Sequence, residues 1–540
     1  MKYREDGSIT IFMTFIFLLL FALTAAALDS ARLYASMGYM KTSARGAELA
    51  VYGEYTRELF KEYKLFGYGG YDGKDESDWR DRYQELLYEN LRERPDNAER
   101  NIFFSKKYAS VYQIGNVKPE VKKAVYITDE KSFIKQLDQW IRSEGIRDIG
   151  EKLLKQIQGT DAGKKDELLD DVSQTQKKEQ EEKLKKEENE KQETESTIET
   201  GNEVVQEKQK NPFDFLKELV ENGILSLVCD VDNLAEKEII PRKSDNNLEK
   251  KFKEKWNKGD SGIGILKQFL DQSDSMWNEE MIHDQKKKGK LLLYVSKMLG
   301  SYVSSDEERT KETVPYAREY LITGQTNPKD ALWSVVNRLF FVRTMINFLY
   351  VEKDAEMQAK SLETATALAA PLMAEAFIPA IQNGILLILS LEEACVDITA
   401  LLEGRCVPVF KDQSNFQIKY LEICTAGREL FLKKAKAYPK SEDKMKMRNN
   451  QLNYNQYLWL FMMMNSWKSL YERTLDIIQF DLRERYNQTF NIDQCICRTK
   501  VTVTYDTPLL MGRLMGERGG GIYRVASKDI QRKFSMTYGY

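Results

Sequence analysis

The spacing of apolar and polar positions divides this chain before any motif is sought. From Ile9 to Leu28 the run ITIFMTFIFLLLFALTAAAL carries no charge. At about 1.5 Å per residue, a helix of that length covers roughly 30 Å, the thickness of a bilayer's hydrocarbon core. A transmembrane helix is therefore predicted over Ile9–Leu28. Beyond it Leu33, Met37, Met40, Ala44, Ala47, Val51, Tyr55, Leu59, Tyr63 and Phe66 recur at steps of three or four. That stripe predicts one stalk helix from Asp29 to Phe66, ended by Gly67, Gly69, Gly70 and Gly73. Gly38, Gly46 and Gly53 inside it fit either close approach of another helix or local flexibility.

Further along, Trp79, Tyr83, Leu86, Leu87 and Leu91 predict an amphipathic helix within Asp75–Arg94. Tyr108–Gln113 and Val121–Ile127, separated by Gly115-Asn116 and Pro119, predict a small β-hairpin. Thr128 is the expected cap of a helix through Gln158, with Phe133, Leu137, Trp140 and Ile141 inward. Residues 159–211 differ in kind: KKEQEEKLKKEENEK, Lys177–Lys191, holds Leu184 as its one apolar residue and cannot bury enough surface to offset ordering. It is read as a linker. Foldable sequence resumes at Pro212, and Asn327-Pro328 opens a strongly apolar helix. Leu368–Leu391 is the one rival membrane span. Pro371, Glu375, Pro379, Gln382 and Asn383 interrupt it, so a core helical hairpin is expected there. Asn453 is the expected cap of a long helix to Arg485. Lys500–Tyr505 and Ile522–Tyr540 alternate as strands and predict a C-terminal β-ribbon with an edge able to accept another chain.

The fold class expected is α+β, mainly α: a transmembrane helix continuing into a stalk helix, then a helical body with small β elements. The regions are a short cytoplasmic N-terminus (1–8), the transmembrane helix (9–28), a stalk and small α+β region (29–158), the linker (159–211), the helical body (212–499) and the ribbon (500–540).

Composition narrows the chemistry. Lys and Arg number 81 against 84 Asp and Glu, which gives no electrostatic case for nucleic acid. Six cysteines in 540 residues are too few for a disulfide scaffold. Buried thiols are expected, with at most a Cys406–Cys424 bridge. Cys495-Ile-Cys497 lacks the spacing and companions of a redox or zinc site. The one histidine, His283, lies among Asp284, Lys286, Lys287 and Lys288 on a solvated stretch, so triad chemistry would depend on it alone. Gly262-Ile-Gly264 lacks a third glycine and a preceding strand, and no Walker-type loop occurs. Among the acids Glu375 is the one expected to be partly buried, followed by Glu392-Glu393, in a structural role. No catalytic, cofactor-binding or metal-binding residue and no cofactor is assigned.

The flanks leave orientation open on charge counting, with Lys2 and Arg4 before the span and Arg32, Lys41 and Arg45 after it. The N-terminus is taken as cytoplasmic and the body as extracytoplasmic. The alternative is a secretory signal cleaved at an A-x-A site, Ala25 and Ala27; the length of the apolar run favours a retained anchor.

Certain segments carry a resemblance. Gly7-Ser-Ile-Thr-Ile-Phe12, Leu28-Asp-Ser-Ala-Arg32 and Glu54–Phe66 resemble the start of an uncharacterised family of single-span proteins encoded beside Tad (Flp-type) pilus genes in Gram-positive bacteria. Val125–Asp129 with Phe133 and Gln136, Val335–Leu339, Ala394–Leu402, Gly404–Lys411, Tyr454–Leu460 and Asp476–Gln479 resemble later signatures of that family in order. The Gly-Ser start is also similar to TadE-like minor pilins, with Phe12 where their early glutamate stands, so an uncleaved anchor is expected. The resemblance implies a place in a pilus or envelope complex, with pilus or envelope proteins as partners beside the lipid around Ile9–Leu28. It implies no reaction. The rival readings are an envelope hydrolase working through acids, which needs a cleft of converging carboxylates, and a ligand-binding sensor-like module, which needs an enclosed pocket.

Overall fold

A computed structural model describes residues 6–91, 114–143, 214–242, 279–303, 314–370, 375–423, 427–440, 451–507, 509 and 530–540. They belong to two units, Met1–Trp140 with Asp481–Tyr540, and Ile141–Phe480. The linker 159–211 lies outside the described residues. The fold is mainly α with small sheets.

In the first unit α1 (Asp6–Gly53) is 48 residues long. Its apolar half stands clear of the rest of the chain, with Phe15, Phe17 and Leu19 about two-thirds exposed. Thr14 donates its hydroxyl to the Thr10 and Ile11 carbonyls and Thr24 to those of Leu20 and Phe21, at 2.7–3.0 Å. A hydroxyl folded back in this way needs no water, so the surface is compatible with lipid. The second half is packed: Met40, Ala44, Ala47 and Val51 meet Trp79, Tyr83 and Leu87 of α3 (Glu76–Leu91) and the sheet residues Val501, Val503 and Tyr505. The i, i+4, i+8 spacing on α3 puts its three large side chains on one face, and the Trp79 and Tyr83 rings stack at 5.2 Å.

The stalk does not run unbroken to Phe66. Thr56 donates its backbone N–H to Gly67 O at 2.8 Å and its hydroxyl to Gly69 O at 2.6 Å, which pulls the chain out of helical geometry before the short α2 (Arg57–Tyr63). Gly69 is held at φ +85°, and a Cβ there would stand 2.3 Å from the Lys74 carbonyl oxygen. Both the left-handed backbone and the contact reject a side chain. Gly69→Ala is expected to destabilise the first unit by about 2 kcal/mol, read as lower hydrogen-exchange protection of the sheet amides.

Gly115, Asn116 and Pro119, expected to separate the two strands of a hairpin, lie within one strand. β1 (Gly115–Tyr126) pairs antiparallel with β2 (Ile496–Thr507), Val121 opposite Val501, and β3 (Ile530–Gly539) pairs with the other side of β2, Val503 opposite Phe534. The order is β1-β2-β3. β2 is central and buried along most of its length, so the C-terminal ribbon is not a separate region but part of one sheet with β1. Tyr108–Gln113 and Ile522–Asp529 lie outside the described residues. Asp129, not Thr128, caps α4 (Glu130–Ser143), accepting from the Ser132 N–H at 3.1 Å and hydroxyl at 3.0 Å. Phe133, Leu137, Trp140 and Ile141 are buried as expected; residues 144–158 lie outside the described ones.

In the second unit the helices are α5 (Asp214–Val228), α6 (Glu279–Met298), α7 (Ala317–Thr323), α8 (Pro328–Val351), α9 (Ala355–Ala369), α10 (Ile378–Leu402), α11 (Arg428–Ala435), α12 (Tyr454–Met464) and α13 (Trp467–Arg485). Asn327 caps α8 by accepting from the Lys329 N–H at 2.9 Å. Asn453 and Gln456 cap α12 reciprocally. The expected single helix to Arg485 is two helices. Asn465 leaves helical geometry and donates its side-chain amide to Ile322 O at 2.9 Å, and Ser466 then accepts the Ser469 N–H to start α13.

α10 is the axis of this unit, packed against α8, α9, α11 and α5. From Ile385 to Leu402 nearly every side chain is buried. The other end of the α9–α10 hairpin is not core: Leu368 is 40% and Phe377 64% exposed. The apolar character of Leu368–Leu391 thus has two causes, core packing at one end and an exposed apolar surface at the other. Glu375 is exposed, against the expectation of partial burial.

Candidate functional site

The inner half of α10 carries charge where periodicity assigns core. Glu393 and Asp397 are one turn apart on α10, and both are fully buried. Arg343 of α8 donates Nη2 to Asp397 Oδ2 at 2.7 Å and Nε to the same oxygen at 3.0 Å. Its Nη1 serves the Pro408 and Val409 carbonyls and the Tyr457 hydroxyl. Asn347, one turn along α8, donates to Asp397 Oδ2 at 3.0 Å. From the opposite side Lys411 Nζ reaches Asp397 Oδ1 at 2.7 Å, Glu393 Oε1 at 2.5 Å and the Tyr438 hydroxyl. The Gln417 and Ile418 N–H groups close the remaining Glu393 oxygen at 3.0 and 2.9 Å.

Two buried cations meet two buried anions, and each is hydrogen-bonded, the condition under which charge survives away from water. Burial works to raise the Asp397 pKa, and the Arg343 and Lys411 charges outweigh it, holding the carboxyl below its ordinary range. Burial likewise pushes the Tyr438 hydroxyl well up, which keeps it neutral and able to donate. The arrangement clamps α8, α10 and the 408–418 segment together. None of the four charged side chains touches solvent, so no substrate reaches them in this conformation.

Glu392, the neighbouring acid, is different. It is fully buried, and neither carboxyl oxygen has a hydrogen-bond partner among the described residues. Burial, aided by the Glu393 and Glu422 charges, pushes its pKa up to about 9. The first unit repeats this with Glu48, roughly 30 Å along α1 beyond Leu28 and so outside the apolar segment Ile9–Leu28. Burial, near Tyr52 and Tyr83, lifts it to about 8. Both acids are neutral in the folded chain at pH 7.

A cavity of about 380 Å³ lies beside Tyr302 and Tyr316, lined also by Asp230, Asn233 and Ser301. It is open, and Leu234, Ala235 and Pro315 give it apolar walls beside these polar groups. Tyr316 sits at φ 53° and accepts from the Ala235 N–H at 3.2 Å.

The remaining sequence candidates form no centre. His283 falls on α6, and Gly262–Gly264 lies outside the described residues. Cys495 and Cys497 are buried thiols, both pushed up by burial. Cys406 is also a buried free thiol, so the bridge considered for it is not made; Cys424 lies outside the described residues. No group of three or more His, Cys, Asp or Glu able to hold a metal occurs among the described residues. Sequence reasoning misses the ion cluster because its members are distant along the chain. A signal for it is nonetheless there: Arg343 and Asp397 each fall on the inward-facing side of their helix.

A family model matches residues 202–507, more than half of the chain. The chain belongs to a family of unknown function, DUF5702. No curated protein and no solved structure matches the chain. The DUF5702 match runs from the charged stretch before α5 to the end of β2, and so includes the ion cluster and excludes α1.

Proposed function

We propose that this protein is a membrane-anchored, extracytoplasmic structural or assembly component of a Tad-like pilus or envelope complex, without a catalytic role. The observation that carries the reading is α1: a lipid-compatible half passes without a break into a half that forms the core of the first unit. A flexible tether would leave the body free to tumble. A continuous helix fixes the first unit's position against the bilayer, which suits a part that holds others in place.

Two further features support it. Tyr34, Gly38, Lys41, Thr42, Arg45 and Leu49 form an exposed line at helical spacing along the packed half of α1, where a Cβ at Gly38 would meet nothing within 4 Å. The converging acids of α10 are sealed and charge-paired, the arrangement of a clamp. The resemblance of the N-terminal segment to TadE-like minor pilins supplies the pilus context.

The test joins fractionation to topology. The full chain is expected in the membrane fraction after alkaline carbonate washing, uncleaved by intact mass, with its body digested by protease added outside whole protoplasts. A photo-crosslinking residue at Tyr34 is expected to capture a pilus or envelope protein. Release by carbonate, or a body protected from outside protease, would overturn the proposal.

A further inference from the structure

The exposed end of the α9–α10 hairpin has no role in the fold just described, and its composition is unusual for a surface. Between Glu363 and Glu392 the chain carries one charge, Glu375. On α9 the side chains of Thr366, Ala367 and Leu368 are exposed, as is that of Ala370 just after it. On the returning segment Phe377 and Ala380 are exposed, followed one turn and two turns on by half-buried Gly384 and exposed Leu387. Single exposed apolar residues are ordinary, but a group of them around a single charge, the exposed Glu375, marks an interaction site.

We propose that the exposed apolar surface around Leu368 and Phe377 enters the interfacial layer of a lipid bilayer, as a second, monotopic membrane contact. The inference rests on the membrane placement of α1, and not on any link to pili. Three observations select lipid over another occupant. The chain already carries a bilayer-length helix, so its body stays within reach of a lipid surface at high effective concentration. Beyond Glu363, α9 runs to Ala369 without charge, roughly 9 Å at helical rise, within the 5–10 Å by which interfacial helices enter the headgroup and acyl boundary. A polar and aromatic belt then stands at the level where headgroups would lie. Tyr420 donates its hydroxyl to Thr364 Oγ1 at 2.6 Å and to Lys360 O at 2.9 Å, Lys360 pairs with Glu356, and the exposed Lys419 and the 89%-exposed Leu421 flank Tyr420. An amphipathic tyrosine between lysines and an apolar end is the order of groups that a membrane interface favours.

The test uses the full chain in vesicles of zwitterionic lipid, and again with one-third anionic lipid, with Cys424→Ser and one environment-sensitive NBD label per sample. The label is placed at Phe377→Cys, at Leu18→Cys within α1, or at Asp232→Cys on an exposed loop. Doxyl-labelled lipids are expected to quench the label at positions 18 and 377 by about two-fold and to leave position 232 unchanged, as burial in the interface requires. Quenching at 18 with position 377 still open to aqueous iodide would overturn the hairpin contact alone. Iodide access at both positions would overturn the anchor and the hairpin contact together. The unlabelled Phe377→Cys chain is also oxidised in the same vesicles. A disulfide-linked dimer of that variant, without lipid quenching of its labelled form, would show that a second copy covers the patch, and would likewise overturn the proposal.

Discussion

Arg343→Met is expected to destabilise the second unit by roughly 3–5 kcal/mol, the range for removing one partner of a buried ion pair. The loss exceeds that of the Arg–Asp attraction because of what the variant leaves behind. Asp397 keeps Lys411 at 2.7 Å and Asn347 at 3.0 Å, but the cluster then holds two anions and one cation with no solvent access. The Pro408 and Val409 carbonyls also lose their common donor, and unsatisfied buried acceptors cost about 1–3 kcal/mol each. Methionine fills much of the space, so cavity formation is a minor part. The sign of the effect is checked by a cycle: Arg343→Met with Asp397→Leu removes a charge of each sign and is expected to recover much of the single-variant loss, whereas additive losses would mean that the two side chains act separately. Hydrogen exchange at the α8 and α10 amides reads this unit without requiring the whole chain to unfold in one step.

Much of the fold was legible because periodicity reports burial directly. The α1 stripe, the inward faces of α3 and α4 and the capped starts of α8 and α12 follow from spacing and short polar side chains. Misreadings arise where tertiary contacts override local pattern. Nothing near Val121 announces that its partner is Val501. The stalk breaks because Thr56 finds acceptors at Gly67 and Gly69, and the helix after Asn453 breaks because Asn465 finds one at Ile322. In the Leu368–Leu391 stretch, hydropathy does not separate a buried apolar surface from an exposed one. Charge at core positions is the most informative signal that periodicity leaves unused: Arg343, Glu393 and Asp397 are costly to bury, and each marks a place where the chain recruits a partner from far along the sequence.

Glu392 yields the second large effect, and its direction depends on pH. The folded chain holds this carboxyl protonated up to about pH 9, whereas in the unfolded chain it ionises from about 4.5, its ordinary value. Between those limits the folded state binds the extra proton, so stability is fully present below the unfolded pKa and falls as pH rises, by about 1.4 kcal/mol per unit, until the folded pKa is reached. Glu392→Gln removes the titration while keeping shape and polarity. It is expected to match the parent chain near pH 4.5 and to be more stable by about 3 kcal/mol at pH 7, with the gap still wider at pH 8. Chemical unfolding of the second unit at pH 5, 7 and 8, followed through the α10 amides, measures that divergence. A gap independent of pH would place an ionised carboxylate at Glu392 in the folded chain and require a cation beside it. Glu48→Gln is expected to behave likewise in the first unit, its gap closing to further growth near pH 8 because its folded pKa is lower. Placing one such acid in each unit would let the two transitions be separated by pH in a single full-length chain, since each variant flattens the pH dependence of one unit and leaves the other unchanged.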